Sequence, residues 1–125
     1  MAEGPAAPVD VLVVDDDPRI LGTFRRAAKE VPGVALRCAT TVAEAMQQVE
    51  ARPPAFLVCD YRLPDGDGLT VLERVGARFP QVKRVLHTGE AVMRVAIGFD
   101  VPVLSKPTSY EELQALLESF SRGEL

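Results

Sequence analysis

Apolar positions along the chain fall into five short runs separated by amphipathic stretches. The runs are Val11-Leu12-Val13-Val14 and residues 34–39, 55–60, 81–88 and 101–104. They are near-continuous rather than alternating, as expected of strands covered on both faces. After the first run, Ile20, Leu21, Phe24, Ala27, Ala28 and Val31 recur at helical spacing, which predicts a helix over 19–31. Asp17 is its candidate N-cap, with Pro18 at the first helical position. Thr41-Val42-Ala43-Glu44 has the capping-box pattern and opens a second helix to residue 51, ended by Pro53-Pro54. Leu69, Leu72, Val75 and Phe79 form the stripe of a third helix, preceded by a loop through Leu63-Pro64-Asp65-Gly66-Asp67-Gly68. A last helix, capped by Ser109 or Thr108, runs to residue 120.

Strands alternating with helices over short links imply right-handed crossovers and an α/β fold, a three-layer α/β/α sandwich around a parallel sheet. Residues 1–8 are small, Gly/Pro/Ala-rich and aperiodic, predicting a flexible tail. The domain is expected over 9–121, with 122–125 as a C-terminal tail. At 125 residues the chain fits one domain that buries roughly two-thirds of its unfolded surface. The net charge of −4 is spread without a basic block, so direct nucleic-acid binding is not expected. No apolar stretch reaches a membrane span and no secretory signal opens the chain, so a cytoplasmic location is predicted. Cys38 and Cys59 sit inside apolar runs and read as small buried hydrophobes. Two cysteines and one histidine do not make a usual zinc site.

The polar residues that end the runs change this picture. Asp15-Asp16, Asp60, Thr88 and Lys106 each follow or close a strand. In an open parallel sheet the carboxyl ends of strands share one rim, where ligands bind. Taken singly, the acids are ordinary helix caps and the lysine a solvated amine. Converging on one rim, they suggest a metal-assisted phosphoryl site. Packed carboxylates raise one another's pKa unless a cation intervenes, and a hard divalent ion bound through oxygen meets that need. Asp60 could attack a phosphoryl group and hold it as an aspartyl phosphate, with Lys106 and Thr88 gripping its oxygens.

These residues together resemble the receiver domain of two-component response regulators, the CheY-like family. The matching segments are Val11-Leu12-Val13-Val14-Asp15-Asp16-Asp17-Pro18, Leu57-Val58-Cys59-Asp60-Tyr61-Arg62-Leu63-Pro64-Asp65-Gly66-Asp67-Gly68, His87-Thr88-Gly89 and Leu104-Ser105-Lys106-Pro107. The resemblance implies a flavodoxin-like sheet of five parallel strands in the order 2-1-3-4-5. It implies that Asp60 takes a phosphoryl group from a histidine kinase or phosphotransfer protein and signals to a downstream partner or output domain. Mg²⁺ or Mn²⁺ would be bound by Asp16, Asp60 and the Arg62 backbone carbonyl, with Asp15 acting through water. Thr88 and Lys106 would hold the phosphoryl oxygens. A homodimer stays open on the same grounds.

Three features depart from the family pattern. Val103 stands where many members carry a Tyr or Phe that swings inward, so the Thr-aromatic switch is altered. The stretch between Thr88 and Lys106 is short, predicting a short or irregular fourth helix over 90–99. Gly89 replaces the usual Ala or Ser, and Arg62 and Glu90 flank the site where they could pair. His87 and Cys59 are expected to point away from the site, and Asp65 and Asp67 to bond locally in a turn. Two alternatives fit the same residues: a pseudo-receiver acting as a protein-interaction module, and a phosphatase of the haloacid-dehalogenase type using Asp15, Asp17, Thr88 and Lys106. The second lacks the later acidic pair and is short for that fold.

Overall fold

Parallel pairing begins with Val9 beside Val34 and places two neighbours on either side of the first strand. The structure, a computed structural model, describes residues 7–89 and 101–125. Its elements are β1 (Val9–Val14), α1 (Pro18–Lys29), β2 (Val34–Ala39), α2 (Val42–Ala51), β3 (Phe56–Cys59), β4 (Arg62–Leu63), β5 (Gly66–Asp67), α3 (Gly68–Arg78), β6 (Lys83–Thr88), β7 (Val103–Ser105) and α4 (Tyr110–Ser121). The main sheet has the order β2-β1-β3-β6-β7, all parallel. With β6 and β7 as fourth and fifth main strands, this is the expected 2-1-3-4-5 order.

Strand alternation divides the core in two. Leu12, Val14, Leu57, Cys59 and Leu86 face α2 and α3, where they pack with Ala45, Val49, Leu72 and Val75. Val11, Val13, Phe56, Val58 and Val85 face α1 and α4 and meet Leu21, Phe24, Leu117 and Phe120. Phe56 stacks on Phe120 with ring centroids 4.1 Å apart. Each large side chain removed from water contributes about 1.5–3 kcal/mol, so both helical layers are held by the sheet rather than by helix propensity.

Helix ends follow local chemistry. Asp17 caps α1 by accepting from Arg19 N, with Pro18 at the first position. Ser109, not Thr108, caps α4: Glu112 N donates to Ser109 Oγ and Ser109 N donates to Glu112 Oε1. The box at α2 is only half formed. Thr41 Oγ1 accepts from Glu44 N, but the Glu44 carboxylate reaches back to Thr40 N.

Some boundaries differ from the sequence pattern. The segment expected as a loop after Leu63 folds into an antiparallel hairpin, with Arg62 opposite Asp67 and Leu63 opposite Gly66. β7 starts at Val103 rather than Val101, because Pro102 has no N–H to donate to the ladder, although its carbonyl accepts from Leu86 N. β6 starts at Lys83 because Val82 N is used in a turn to Phe79 O. The expected fourth helix over 90–99, the Glu90 side of the expected Arg62–Glu90 pair and most of the expected N-terminal tail lie outside the described residues. No described helix is long and apolar enough to cross a membrane.

At the amino ends of the strands, Asp10 binds Arg37 Nε and Nη2 at 3.0 and 2.9 Å and Arg52 Nε at 3.1 Å. Arg37 also donates to the carbonyls of Gln48 and Arg52, satisfying the exposed C-terminal end of α2.

Candidate functional site

The register of β1 with its two neighbours builds the opposite rim. Asp15 N donates to Ala39 O across β2, and Asp60 N donates to Val14 O across β3. The chain order reverses at this point, so Asp15 and Asp60 emerge side by side from adjacent strands. One carboxylate oxygen each of Asp15, Asp16 and Asp60 lies within 4.8 Å of the others. Asp15 is buried and Asp16 exposed, while the Asp60 side chain is 13% exposed. The Lys106 ammonium, delivered from the far side of the sheet just after β7, lies 2.8 Å from Asp15 Oδ2 and 3.3 Å from Asp60 Oδ2. Asp15 Oδ1 accepts from Asp17 N, and Asp60 Oδ1 accepts from Tyr61 N. Thr88 closes β6 as a buried residue, and its carbonyl accepts from Lys106 N at 3.0 Å.

The electrostatics are unbalanced. Burial raises the Asp60 carboxyl above its ordinary value; Lys106 pulls it down and the Asp15 charge pushes it further up. For Lys106 burial disfavours the ammonium, but its hydrogen bond to Asp15 and the charges of Asp15 and Asp60 outweigh that and raise its pKa. Among the described residues, the three clustered carboxylates are met by the one ammonium of Lys106, so the cluster is short of positive charge there. Asp16 presents its face of the cluster to water, and every donor is a hard oxygen. That donor set fits a small divalent cation that keeps part of its water shell.

Asp17 stands apart from this cluster. Its carboxylate caps α1 and pairs with Arg19 at 3.3 Å, which leaves the phosphatase-like use of Asp15 and Asp17 without its second acid. His87 lies in the α1–α4 layer beside Phe24, and Cys59 is buried on the α2–α3 side, both away from the rim as expected. Burial pushes the Cys59 thiol up, which favours its neutral form. Arg62, exposed at the start of β4, holds its guanidinium over the Tyr61 ring at 5.7 Å. Among the described residues, a Cβ at Gly89 would meet Lys106 Cβ at 3.9 Å, an ordinary contact.

Two residues missed in the sequence reading shape the loop after Asp60. A side chain at Gly68 would put its Cβ 1.8 Å from the Asp60 carbonyl oxygen, so only glycine lets α3 start against Asp60. Gly68 N bonds Tyr61 O at 2.6 Å. Asp65 reaches beyond its own turn: its two oxygens accept from Val42 N and Ala43 N at 2.7 and 3.0 Å. The hairpin tip is thereby pinned to the N-terminus of α2, where an anion is favoured. Asp67 caps α3 through Thr70 N. The Gly-Asp-Gly run signalled a tight turn, but not which distant backbone it would meet.

Residues 11–118 match the family described as the response regulator receiver domain. The chain is a response regulator receiver domain. It is 40% identical over 119 residues to the photosynthetic apparatus regulatory protein RegA of Cereibacter sphaeroides, covering 91% of this chain and 62% of that protein. It is 36% identical over 112 residues to the acid tolerance regulatory protein ActR of Rhizobium meliloti, covering 86% of this chain and 57% of that protein. The chain thus spans about three-fifths of the length of these relatives. A CheY-like response regulator receiver domain protein from Methanospirillum hungatei superposes with a TM-score of 0.78 at 26% identity, over 93% of this chain and 95% of that one. The signal receiver domain of an HD domain-containing protein from Pseudomonas fluorescens shares the fold, with a TM-score of 0.79 at 23% identity, over 97% of this chain and 94% of that one.

Proposed function

We propose that this receiver domain accepts a phosphoryl group on Asp60 in a two-component phosphorelay. The observation that carries the reading is the position of the Asp60 carboxylate, set between the Lys106 ammonium and Asp15 in a cluster short of positive charge among the described residues. Asp60 attacks the phosphorus of a phosphohistidine on a histidine kinase or phosphotransfer protein. The new O–P bond forms as the N–P bond breaks, and the departing imidazole nitrogen takes up a proton. Lys106, already 3.3 Å from Asp60 Oδ2, follows the charge as it moves onto the phosphoryl oxygens, and the Thr88 hydroxyl donates to another. Preplaced charge of this kind is the main protein contribution to phosphoryl transfer.

Asp16, Asp60 and the Arg62 backbone carbonyl would hold Mg²⁺ or Mn²⁺, which supplies charge neutralisation of the phosphoryl oxygens when bound. Both oxygens of Asp15 already accept hydrogen bonds, from Asp17 N and from Lys106, which suits it to act on the ion through water. The working unit is residues 9–121, acting in the cytoplasm on a downstream partner or output domain and binding neither nucleic acid nor membrane itself. The pseudo-receiver alternative has no observation in its favour, since every acid and the lysine of the site are assembled.

Adding Mg²⁺ and beryllofluoride, a phosphoryl mimic, while recording amide spectra tests the proposal. Shifts at Thr88, Lys106 and their neighbours that need both reagents and vanish in Asp60→Ala are expected. Identical spectra with and without the reagents would return the chain to the pseudo-receiver class.

A further inference from the structure

His87 is the chain's one histidine, is 1% exposed, and has no part in the chemistry described above. It precedes Thr88 on β6 and points into the α1–α4 layer, edge-on to Phe24 with ring centroids 5.8 Å apart. Its Nε2 lies 2.8 Å from Thr108 Oγ1, and that hydroxyl donates onward to Ser105 O at 3.2 Å. A threonine hydroxyl has a single proton to give. Both contacts are satisfied together when that proton goes to Ser105 and the ring donates from Nε2. Burial, then the charge of Lys106, lowers the imidazole to about 4, so the ring is neutral at neutral pH.

Ser105, Lys106, Pro107 and Thr108 form the turn that follows β7, with a cis bond between Lys106 and Pro107. Consecutive residues of β6 anchor this turn at two points. Thr88 O takes the Lys106 amide, and His87 takes the Thr108 hydroxyl. From this geometry we infer that His87 is a positioning residue, whose hydrogen bond to Thr108 sets the turn that aims the Lys106 ammonium at Asp15 and Asp60. The inference rests on the phosphoacceptor reading of Asp60. A leucine at 87 would fill similar space against Phe24 but give Thr108 no donor, so packing and positioning are separable.

The test compares the full chain with His87→Leu, His87→Gln, Thr108→Val and the His87→Leu/Thr108→Val double variant. The rate of Asp60 phosphorylation is measured with Mg²⁺ and saturating acetyl phosphate, alongside amide hydrogen exchange at Lys106. Loss of either partner is expected to slow phosphorylation roughly tenfold, the scale of a small misplacement of a catalytic group. The double variant should be no slower than either single one, because both remove the same bond. Gln at 87 can still donate and should restore the rate to within about threefold of the parent. Wild-type rates in Thr108→Val, whose turn is only half buried, would overturn the inference even if His87→Leu failed to fold. So would additive losses in the double variant. If the parent itself takes no phosphoryl group, the acceptor reading falls and the positioning claim is judged on exchange alone. Faster exchange of the Lys106 amide in His87→Leu and Thr108→Val then supports it, and unchanged exchange overturns it.

Discussion

β1 carries an aspartate near each end, and the two sit in opposite electrostatic settings. Asp10, at the amino rim, is met by the guanidinium groups of Arg37 and Arg52. Arg37 also reaches backbone carbonyls at the end of α2. One acid faces two bases, and its geometry is bidentate, the strong form of such a contact. Asp15, just past the other end, shares a single ammonium with Asp60 and stands beside Asp16. A cluster whose charges are matched ties elements together. A cluster left short of positive charge stores an unmet need, and groups held that way mark functional sites.

Substitutions at the two ends should therefore separate ion binding from stability. Replacing Asp15 with Asn is expected to weaken Mg²⁺ binding by about 10- to 100-fold, the usual cost of losing a group that acts on an ion through an intermediary. Asp10→Asn should leave that affinity unchanged, and titration calorimetry on both variants checks the contrast. At the amino rim the effect is on folding: Arg37→Ala is expected to cost about 2–3 kcal/mol, since it strips charge-assisted bonds from half-buried partners, read from urea unfolding. Gly68→Ala should cost about 1–3 kcal/mol through overpacking against the Asp60 carbonyl. Unlike Arg37→Ala, it should also weaken Mg²⁺ binding.

The smallest effect has the opposite sign. Burial raises the Asp60 carboxyl, and Asp15 adds to the rise. A carboxyl whose folded-state pKa lies above its unfolded one stabilises most while protonated, and that stability is lost as pH climbs through the folded-state pKa. Asp60→Asn should thus make the ion-free protein more stable at neutral pH by roughly 0.5–2 kcal/mol, the range seen when a strained functional group is relieved. The gain should fade below the ordinary carboxylate range, as thermal unfolding at several pH values would show. An Asp60→Asn variant less stable at neutral pH would mean that the upper cluster is held together as firmly as the lower one.

Much of this was legible in the chain itself. Near-continuous apolar runs pointed to a parallel sheet, because strands covered on both faces have no polar side. Asp15, Asp16, Asp60 and Lys106 could be grouped because strand ends converge whatever their separation in sequence. Contacts decided by three-dimensional approach were not legible. Asp65 looked like a turn residue, and nothing local says that its carboxylate caps α2 more than twenty residues earlier. Gly68 read only as the end of a loop, whereas its place is set by the Asp60 carbonyl that its Cβ would strike. The hairpin of β4 and β5 was missed for a related reason, since a pair of two-residue strands leaves no periodicity to read.

In the proposed function, the undercompensated rim makes Asp60 a phosphoryl acceptor. The most direct test is to incubate the protein with Mg²⁺ and acetyl phosphate, trap any acyl phosphate by borohydride reduction, and map the modified peptide. One modified residue is expected, Asp60, with a modification that depends on Mg²⁺ and is lost in Asp60→Ala. Modification at Asp15 or Asp16 instead, or none at all with Mg²⁺ present, would contradict it.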